Sequence, residues 1–477
     1  MRLLYTLLLT LATPLILLRL TWRARKQPAY LRNVGERFGL YGQPPTRPVI
    51  WLHAVSVGET RAAEPLVKAL EAAHPDDQIL LTHMTPTGRE TSEQLFGSRV
   101  LRCYVPYDMP WCTTRFLHHF RPRLGILMET ELWPNLIHAS RAAGVPLYLV
   151  NARMSERSAR GYARLASLTH GALVGLTAIG AQTEADAQRL RSLGASQVLV
   201  TGNLKFDRGP QPQDLALGAR LRALFGGMPM PVAAEGESSA LTTGSAPTAA
   251  HHPVASRHPA ECAAQARDRD TPFSARQGAQ ESSATVSVGR RLVVLAASTR
   301  EGEEELVLDA VAGLPEQALV VIVPRHPQRF DAVARLLQAR GVRFQRRSED
   351  SAVATETRVV LGDSMGELFA YYGACDIAFI GGSLLPLGGQ NLLEACAVGK
   401  PVVIGPHTFN FAEATRLAAD AGAAIQVADA AELGSVLAAL LDDPARRARM
   451  GEAGRKLMLQ HRGATARTLA LLAFPSS

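Results

Sequence analysis

The sequence contains few cysteines, and their positions argue against a metal-bound or disulfide-bonded framework. Only five occur in 477 residues, and two of them, Cys375 and Cys396, lie in apolar runs. Structural zinc sites and disulfide scaffolds need cysteines at short or paired spacings, which are missing here. Cysteines within apolar runs are typical of reduced thiols in a protein core. The usage fits a reducing compartment.

Outside its first 47 residues the chain has almost no net charge. The formal net charge is +8, and residues 1–47 contain eight Lys or Arg residues against one acid, Glu36. A nucleic-acid groove needs basic side chains that follow the phosphate backbone, and this distribution does not supply them. A basic cluster at one terminus suits an anionic membrane surface. We therefore expect membrane lipids, and no nucleic acid, among the partners.

One long hydrophobic run, Leu3–Leu18, lies between Arg2 and Arg19. It is slightly short for a spanning helix, which needs about 20 residues. A cleaved signal peptide is the alternative, but basic residues follow the run where a small-residue cleavage site would be expected. The heavier positive flank predicts that the rest of the chain is cytoplasmic. Residues 1–22 are thus predicted to be an uncleaved anchor, which either spans the bilayer or lies in its interface.

Short apolar runs alternate with helix-like segments along most of the chain. The predicted strands are Val49–Ala54, Gln78–His83, Leu124–Met128, Pro146–Val150, Thr177–Ala181, Gln197–Thr201, Leu292–Ala296, Ala318–Val323, Arg358–Leu361, Ile377–Ile380, Pro401–Ile404 and Ala424–Val427. Strands separated by helices are typical of βαβ units and a mostly parallel sheet. The sequence therefore predicts an α/β protein with two halves, residues 23–209 and 290–477.

Residues 226–289 interrupt this alternation. They are rich in Ala, Ser, Thr, Gly, Pro and Gln and nearly lack Ile, Leu and Phe. Such a segment cannot bury enough apolar surface to offset its ordering entropy. We interpret residues 210–289 as a linker with a disordered insertion. Three histidines in it, His251, His252 and His258, are more typical of a solvated loop than of a metal tract.

The most informative motif follows the predicted strand Ile377–Ile380 and reads GGSLLPLGGQNLLE, ending at Glu394. Its glycines allow a ligand to approach the backbone closely. A helix that opens at Asn391 and covers Leu392–Val398 would present free N–H groups to a phosphate. Glu394 is placed to accept hydrogen bonds from ribose hydroxyls. The pattern predicts a nucleotide site at the carboxyl edge of a parallel sheet, although a glycine-rich turn without a ligand shares part of it.

Acidic residues follow two strands of the first half. In WLHAVSVGE, Glu59 starts a helix, where it either acts as a general base toward a hydroxyl or only complements the helix dipole. In METELWPN, Glu129 and Glu131 lie two residues apart and point the same way if the segment is extended. Both could face a cleft, or one could cap the next helix. Without a DxD motif or a histidine beside them, they do not predict a metal site.

Further polar turns lie at the junction and in the second half. Lys205 in GNLKFD either reaches a phosphate or is a surface lysine. Arg325 in PRHP offers a bidentate fork to a phosphate or a base edge, and His326 adds a donor. The turn Gly362–Leu368 could contact a nucleobase through its backbone. The turn Ala297–Glu303, within ASTREGE, suits a phosphate or a sugar.

In this order, these motifs resemble those of the 3-deoxy-D-manno-octulosonic acid (Kdo) transferases, GT-B glycosyltransferases that build the inner core of lipopolysaccharide. The resemblance covers nearly the whole chain and includes the hydrophobic N-terminus, GERFG, SVGE, MTPTG, ETELWPN, NARMSERS, GNLKFD, STREGEE, PRHP, GDSMGEL, GGSLLPLGGQNLLE and GPHTFNF. It implies a GT-B fold, with two Rossmann-like domains that face each other across a cleft. Gln390 replaces a histidine that many relatives carry, and the insertion 226–289 is unusual for the family.

The resemblance also implies a reaction and the residues that perform it. Kdo would move from CMP-Kdo to a lipid A precursor at the inner membrane, with inversion at the anomeric carbon and without a metal or other cofactor. Glu59 would be the catalytic base, and Glu129 and Lys205 would stabilise the transition state. CMP would be held by Arg325, His326, Gly366, Glu367, Leu368, Asn391, Leu392, Leu393 and Glu394.

Two other functions are compatible with the motifs. Another GT-B enzyme would use a UDP-sugar on a lipid or peptidoglycan precursor, and a preference for uridine over cytidine would identify it. A membrane-tethered nucleotide-binding protein without activity would have no need of Glu59, Glu129 and Lys205. The number of Kdo units transferred depends on the shape of the acceptor site, which the motifs leave open.

Overall fold

Continuous apolar runs, rather than alternating ones, form the strands of this protein. Val49–His53 and Val293–Thr299 are buried at every position, as expected for parallel strands with helices on both faces of the sheet. The computed structural model, which describes residues 1–25, 27–226 and 291–473, contains two such parallel sheets of seven strands. The predicted α/β class is confirmed. The predicted insertion lies, except for Gly226, outside the described residues.

The N-terminal sheet has the strand order β3-β2-β1-β4-β5-β6-β7. Its strands are β1 (Val49–His53), β2 (Gln78–His83), β3 (Leu101–Tyr104), β4 (Pro122–Met128), β5 (Leu147–Ala152), β6 (Ala178–Ala181) and β7 (Val198–Val200). The strand order reverses between β1 and β4, which are direct neighbours. In open α/β sheets, ligands bind in the crevice at the carboxyl ends of the strands beside such a reversal.

The C-terminal sheet repeats this arrangement in the order β10-β11-β9-β8-β12-β13-β14. Its strands are β8 (Val293–Thr299), β9 (Leu319–Pro324), β10 (Phe344–Arg346), β11 (Val359–Leu361), β12 (Ile377–Ile380), β13 (Val402–Ile404) and β14 (Ala424–Gln426). The reversal lies between β8 and β12. We call each sheet with the helices that pack on it the N-terminal half and the C-terminal half.

The helices of the described residues cover both faces of each sheet. They are α1 (Arg2–Leu11), α2 (Thr13–Ala24), α3 (Val57–Ala62), α4 (Glu64–Ala73), α5 (Pro86–Phe96), α6 (Pro110–Phe120), α7 (Pro134–Ala142), α8 (Glu156–Ala163), α9 (Ala166–Val174), α10 (Glu184–Ser192), α11 (Pro212–Leu224), α12 (Glu303–Val311), α13 (Phe330–Ala339), α14 (Leu368–Ala374), α15 (Leu393–Ala397), α16 (Ala412–Asp420), α17 (Ala430–Asp442), α18 (Pro444–His461) and α19 (Ala464–Leu471). Each sheet therefore has a hydrophobic cluster on each face.

Two helices pack where their place in the sequence did not indicate. Leu221 of α11, in the predicted linker, belongs to the hydrophobic cluster of the C-terminal half. Ala464 of α19, near the end of the chain, belongs to a cluster of the N-terminal half. The Asp207 carboxylate holds the start of α19 by accepting the N–H groups of Gly463 (2.7 Å) and Thr465 (2.5 Å). The chain thus returns to the N-terminal half at its end, while the predicted domain boundaries remain a prediction.

The predicted anchor forms two helices, α1 and α2, that meet at a bend of 51°. In the described part of the chain, no single helix is long and apolar enough to cross a membrane. The bent pair of α1 and α2 meets this requirement by length and composition only. Most of its leucines face outward, with Leu3 81% and Leu11 67% exposed. Leu9 and Ile16 instead pack beside Phe38 on the N-terminal half. The anchor itself remains a prediction.

Candidate active site

A cavity of about 410 Å³ is lined by the carboxyl edges of both sheets. The predicted residues that line it are Glu59, Glu129, Lys205, Arg325, Gly366, Glu367, Leu368, Asn391 and Glu394. Three others do not contribute side chains to its wall. His326 is exposed beside Arg325, and Leu392 and Leu393 are buried in the core of the C-terminal half because their side chains are apolar.

Glu59 lies in the first turn of α3 and takes part in the cap of that helix. Its carboxylate accepts the Val55 N–H (2.8 Å) and the Ser56 hydroxyl (3.1 Å). The Ser56 hydroxyl oxygen accepts the Glu59 N–H (3.4 Å) in return. Ser56 thus caps α3, and these hydrogen bonds fix the Glu59 carboxylate at the cavity wall. Glu59 therefore takes part in the cap of α3 and also lines the cavity, so the two roles predicted for it are compatible.

Burial, followed by the negative charge of Glu129, raises the pKa of Glu59 to about 8. The hydrogen bonds from Val55 and Ser56 act in the opposite direction. A carboxyl group with a pKa near the working pH is well matched to general acid–base chemistry. The environment of Glu59 is therefore suited to taking a proton from a hydroxyl group.

Glu129 follows β4 in a left-handed backbone conformation, with φ 59°. Its N–H donates to the Val150 carbonyl (3.0 Å), which helps to hold this uncommon geometry. The Glu129 carboxylate accepts a hydrogen bond from the Lys205 ammonium group (3.1 Å). Glu131 is outside the lining of this cavity, and its carboxylate accepts the Trp133 indole N–H (2.8 Å). The left-handed conformation of Glu129 ends the extended geometry on which a shared direction of the two acids depended.

Lys205 lies in a short 3-10 turn, Leu204–Asp207, just after β7. The Asn203 side chain accepts the Lys205 N–H, and the Asn151 side chain accepts the Leu204 N–H, both at 3.0 Å. The Lys205 ammonium group lies 5.6 Å from the centre of the Phe411 ring, which belongs to the C-terminal half. Lys205 is thus a cavity residue and not a free surface lysine.

Arg325 extends from the end of β9 into the cavity. Its N–H donates to the Thr299 carbonyl (2.9 Å), which fixes the turn. Burial lowers the pKa of Arg325, and Glu394 acts in the opposite direction. Burial, followed by the charges of Arg325 and Arg300, lowers the pKa of His326. The PRHP turn therefore offers a cation to the cavity and places the histidine at its rim.

Two turns of the C-terminal half complete the cavity wall. In the first, the Ser364 hydroxyl donates to Glu367 (2.7 Å), and Gly366 has a φ of 84°, which favours glycine. In the second, the Asn391 side chain accepts the Leu393 N–H (3.2 Å). The helix after it, Leu393–Ala397, is one residue shorter at each end than predicted.

Glu394 is paired within the protein, a contact that the motif did not indicate. Arg208 bridges it to Glu64 of the N-terminal half, with 3.2 Å between Arg208 Nε and Glu64 Oε2. Arg61, Arg153 and Arg208 line the cavity and were not predicted as site residues. Arg153 lies within the NARMSERS motif, and Arg61 lies two residues after Glu59 of SVGE. Both are therefore close to motifs of the resemblance, but only the fold shows that they line the cavity.

The ASTREGE turn has a structural role that its sequence did not reveal. The buried Glu303 carboxylate accepts the N–H groups of Gly382 (2.5 Å), Ser383 (2.9 Å) and Leu384 (3.0 Å). It also accepts the Arg300 N–H (3.1 Å). Glu303 therefore holds the glycine-rich loop in place, while Ser298 of the same turn lines the cavity. Phosphate or sugar binding by this turn stays a prediction.

The fold is that of solved glycosyltransferases. It is similar to a glycosyltransferase from Rickettsia africae with a TM-score of 0.51 and 11% identity, over 90% of this chain and 98% of that one. At this identity the likeness concerns the fold alone. Two parallel sheets with a shared cavity at their carboxyl edges place the protein in the GT-B fold class, as predicted.

Sequence comparison narrows this class. Residues 32–208 match the family model described as 3-deoxy-D-manno-octulosonic-acid transferase (kdotransferase), and residues 290–457 match glycosyl transferases group 1. The 3-deoxy-D-manno-octulosonic acid transferase of Bordetella pertussis is 41% identical, over 98% of this chain and 97% of its own length. The Haemophilus influenzae enzyme of that name is 35% identical, over 99% and 98%. The chain belongs to the Kdo transferase family of lipopolysaccharide core biosynthesis, which confirms the predicted family and enzyme class.

Proposed function

We propose that the protein transfers Kdo from CMP-Kdo to lipid IVA, a lipid A precursor, with inversion at the anomeric carbon and without a metal ion. The observation that carries this proposal is the shared cavity. It brings Glu59, Glu129 and Lys205 of the N-terminal half next to Arg325 and Asn391 of the C-terminal half. A donor on one half and an acceptor on the other would meet there.

Glu59 serves as the general base in this proposal. An acceptor hydroxyl attacks the anomeric carbon of Kdo, and its proton passes to the Glu59 carboxylate. The bond between the anomeric carbon and the phosphate oxygen breaks on the opposite face, and CMP leaves with the electron pair. Because the hydroxyl attacks on the face opposite the departing CMP, the configuration at the anomeric carbon inverts. A positioned base contributes about 10²–10⁴-fold to such a step.

The cations of the cavity stabilise the charge that develops in the transition state. As Kdo departs, negative charge accumulates on the CMP phosphate. Glu129 holds the Lys205 ammonium group at 3.1 Å, and the backbone of the turn that carries Arg325 is fixed by its bond to Thr299. Fixed donors of this kind are the usual source of electrostatic stabilisation in enzymes.

CMP binds to the C-terminal half in this proposal. Arg325 contacts the phosphate, His326 lies at the rim, and the turn Gly366–Leu368 lies along the base. The segment Asn391–Glu394 contributes its backbone and side chains next to the ribose and phosphate. Leu392 and Leu393 are buried in the core, so they would act by fixing this segment.

The protein would work at the cytoplasmic face of the inner membrane. The exposed apolar residues of α1 and α2 are Leu3, Leu4, Leu7, Leu8, Leu11, Leu15, Leu17, Leu18 and Trp22. Arg19, Arg23 and Arg25 follow in the sequence, where they would meet anionic headgroups. Because the pair is bent and part of it packs on the N-terminal half, we favour an anchor that lies in the membrane interface.

The transfer reaction is tested with purified full-length protein, CMP-Kdo and lipid IVA, and the product is weighed by mass spectrometry. We expect a gain of one or more Kdo masses, the opposite anomeric configuration by NMR, and full activity in EDTA. The variant Glu59→Gln should lose activity, while Glu156→Gln, an exposed acid on α8, should keep it. Protein that binds CMP but adds no Kdo to lipid IVA would rule out this acceptor.

A further inference from the structure

Arg153 is a cavity residue that the proposed mechanism does not use. It follows β5 in the NARMSERS motif and lines the same cavity as Glu59 and Lys205. β5 pairs directly with β4, which leads to Glu129. Neighbouring strands lie about 4.8 Å apart, so Arg153 is one strand further along the carboxyl edge than Glu129.

The backbone on both sides of Arg153 is held in place. Asn151 has a left-handed φ of 53°, and its side-chain oxygen accepts the Leu204 N–H (3.0 Å). The Met154 N–H donates to the Asp186 carboxylate (2.8 Å). Left-handed conformations of residues other than glycine persist only where the surroundings impose them, and they cluster at functional sites. Arg153 therefore extends from a fixed position next to the loop that carries Lys205.

The guanidinium group of Arg153 has no close acidic partner in the parts of the chain that the structure describes, since no carboxylate oxygen lies within 4 Å of it. Its acidic neighbour at longer range is Glu413 of α16, whose pKa is raised by burial against the effect of Arg153. Arg208, by comparison, pairs with two glutamates. A half-buried guanidinium that lines a substrate cavity without a close anion is well suited to an oxyanion of the ligand.

We propose that Arg153 binds an oxyanion on the sugar side of the reaction and so orients the reacting sugar beside Glu129. Two groups have this chemistry, the carboxylate on the anomeric carbon of Kdo and a phosphate of the lipid A precursor. This inference rests on the proposed function. It assigns the oxyanion to a group other than the phosphate of CMP, because the residues proposed to bind CMP belong to the C-terminal half and the departing phosphate already has Lys205 as its cation on the N-terminal half.

Steady-state kinetics of Arg153→Gln and Arg153→Lys test the inference, with Arg157→Gln, an exposed arginine of the same motif, as the matched control. Loss of a charge-assisted hydrogen bond predicts that Arg153→Gln lowers kcat/KM by about 10- to 100-fold. Arg153→Lys should recover only part, because an ammonium group cannot bind an oxyanion in the bidentate way. CMP affinity should stay within about twofold for all three variants, as CMP would not touch Arg153.

The two sources of the oxyanion give different results. A higher KM for the donor with an unchanged KM for the acceptor identifies the Kdo carboxylate. A higher KM for the acceptor identifies a lipid phosphate, and an acceptor without that phosphate should then react equally with wild type and Arg153→Gln. The inference is wrong if Arg153→Gln behaves like Arg157→Gln, or if its CMP affinity falls as much as its kcat/KM.

A second measurement does not depend on turnover. Phenylglyoxal modifies accessible arginines, and peptide mass spectrometry quantifies the label at Arg153. We expect CMP-Kdo or lipid IVA to protect Arg153, and CMP alone to leave it reactive. An active wild-type enzyme whose Arg153 is protected by neither substrate contradicts this inference alone. A wild-type protein that transfers no Kdo contradicts the proposed function instead.

Discussion

The ammonium group of Lys205 lies 3.1 Å from Glu129 Oε1 and 5.6 Å from the centre of the Phe411 ring. One cation therefore contacts an acid of the N-terminal half and an aromatic ring of the C-terminal half. The pair lies in the wall of the cavity and is partly buried, so solvent screens its charges less than those of a surface pair. This arrangement holds Lys205 where a departing phosphate would pass.

Removing either member of this pair should slow the transfer step. We expect Lys205→Met and Glu129→Gln each to lower kcat by about 10²–10³-fold, the usual loss for one fixed electrostatic group. Because the two residues act together, the double variant should be little worse than the slower single variant. Lys456→Met, at an exposed lysine of α18, is the control. Fully additive losses would show that the two residues act independently.

The pH dependence of the reaction should report Glu59. A base must be ionised, and burial raises the pKa of Glu59 to about 8. We therefore expect kcat/KM to rise with pH along a limb centred near that value. Glu59→Gln should lower kcat by about 10²–10⁴-fold and remove this limb. If the variant keeps the limb, Glu59 is only a helix cap and the base is another group.

Glu59 should also make stability depend on pH. Its folded pKa of about 8 lies above the reference value of 4.5, so the folded state holds the proton more tightly than the unfolded state. The contribution of Glu59 to the free energy of unfolding is fully present at low pH, and it is lost as the pH rises from the reference pKa to the folded pKa. Glu59→Gln should therefore gain stability relative to wild type from pH 5 to 9. Urea unfolding across that range measures the difference, and a difference that stays constant would contradict the raised pKa.

Twelve of the fourteen described strands were predicted, because parallel sheets bury both faces. The two that were missed, β3 and β10, are only partly buried. Continuous apolar runs such as Gln78–His83 are sufficient to locate such strands, and β2 has those bounds. The turns after the strands were predictable for the same reason, since the carboxyl ends of parallel strands meet at one edge. Glu59 and Arg325 follow strands of different sheets, and it was the resemblance to the Kdo transferases that assigned them to one cleft.

Contacts between distant segments could not be predicted. Nothing local marks Ala464 as part of the N-terminal core or Glu303 as the partner of the loop at Gly382. Arg208 resembles any arginine after a turn, and only the fold brings it to Glu64 and Glu394. The apolar pattern of Leu392 and Leu393 indicated a core helix as much as a ligand contact, and the structure places both side chains in the core.

Membrane attachment should depend on the outward face of α1 and α2. Replacing Leu7, Leu11 and Leu15 together by glutamate should move the protein from the membrane fraction to the supernatant, because apolar area and favourable charge are both lost. Leu459→Glu, at an exposed leucine of α18, should leave the distribution unchanged. Fractionation with immunoblotting measures this. Extraction of the wild type by alkaline carbonate would favour the interfacial anchor, and resistance to it a spanning one.

Arg208 should couple the two halves, because it pairs with Glu64 on one and with Glu394 on the other. Arg208→Gln would leave the buried Glu394 carboxylate without its closest partner, which typically costs about 3 kcal/mol of folding free energy. We also expect weaker CMP binding, since Glu394 would be free to turn toward Arg325. Arg220→Gln, which breaks an exposed pair with Asp350, should cost less than about 1 kcal/mol. Chemical unfolding and CMP titration compare the two variants. Equal losses would mean that the Arg208 bridge contributes no more than a surface ion pair.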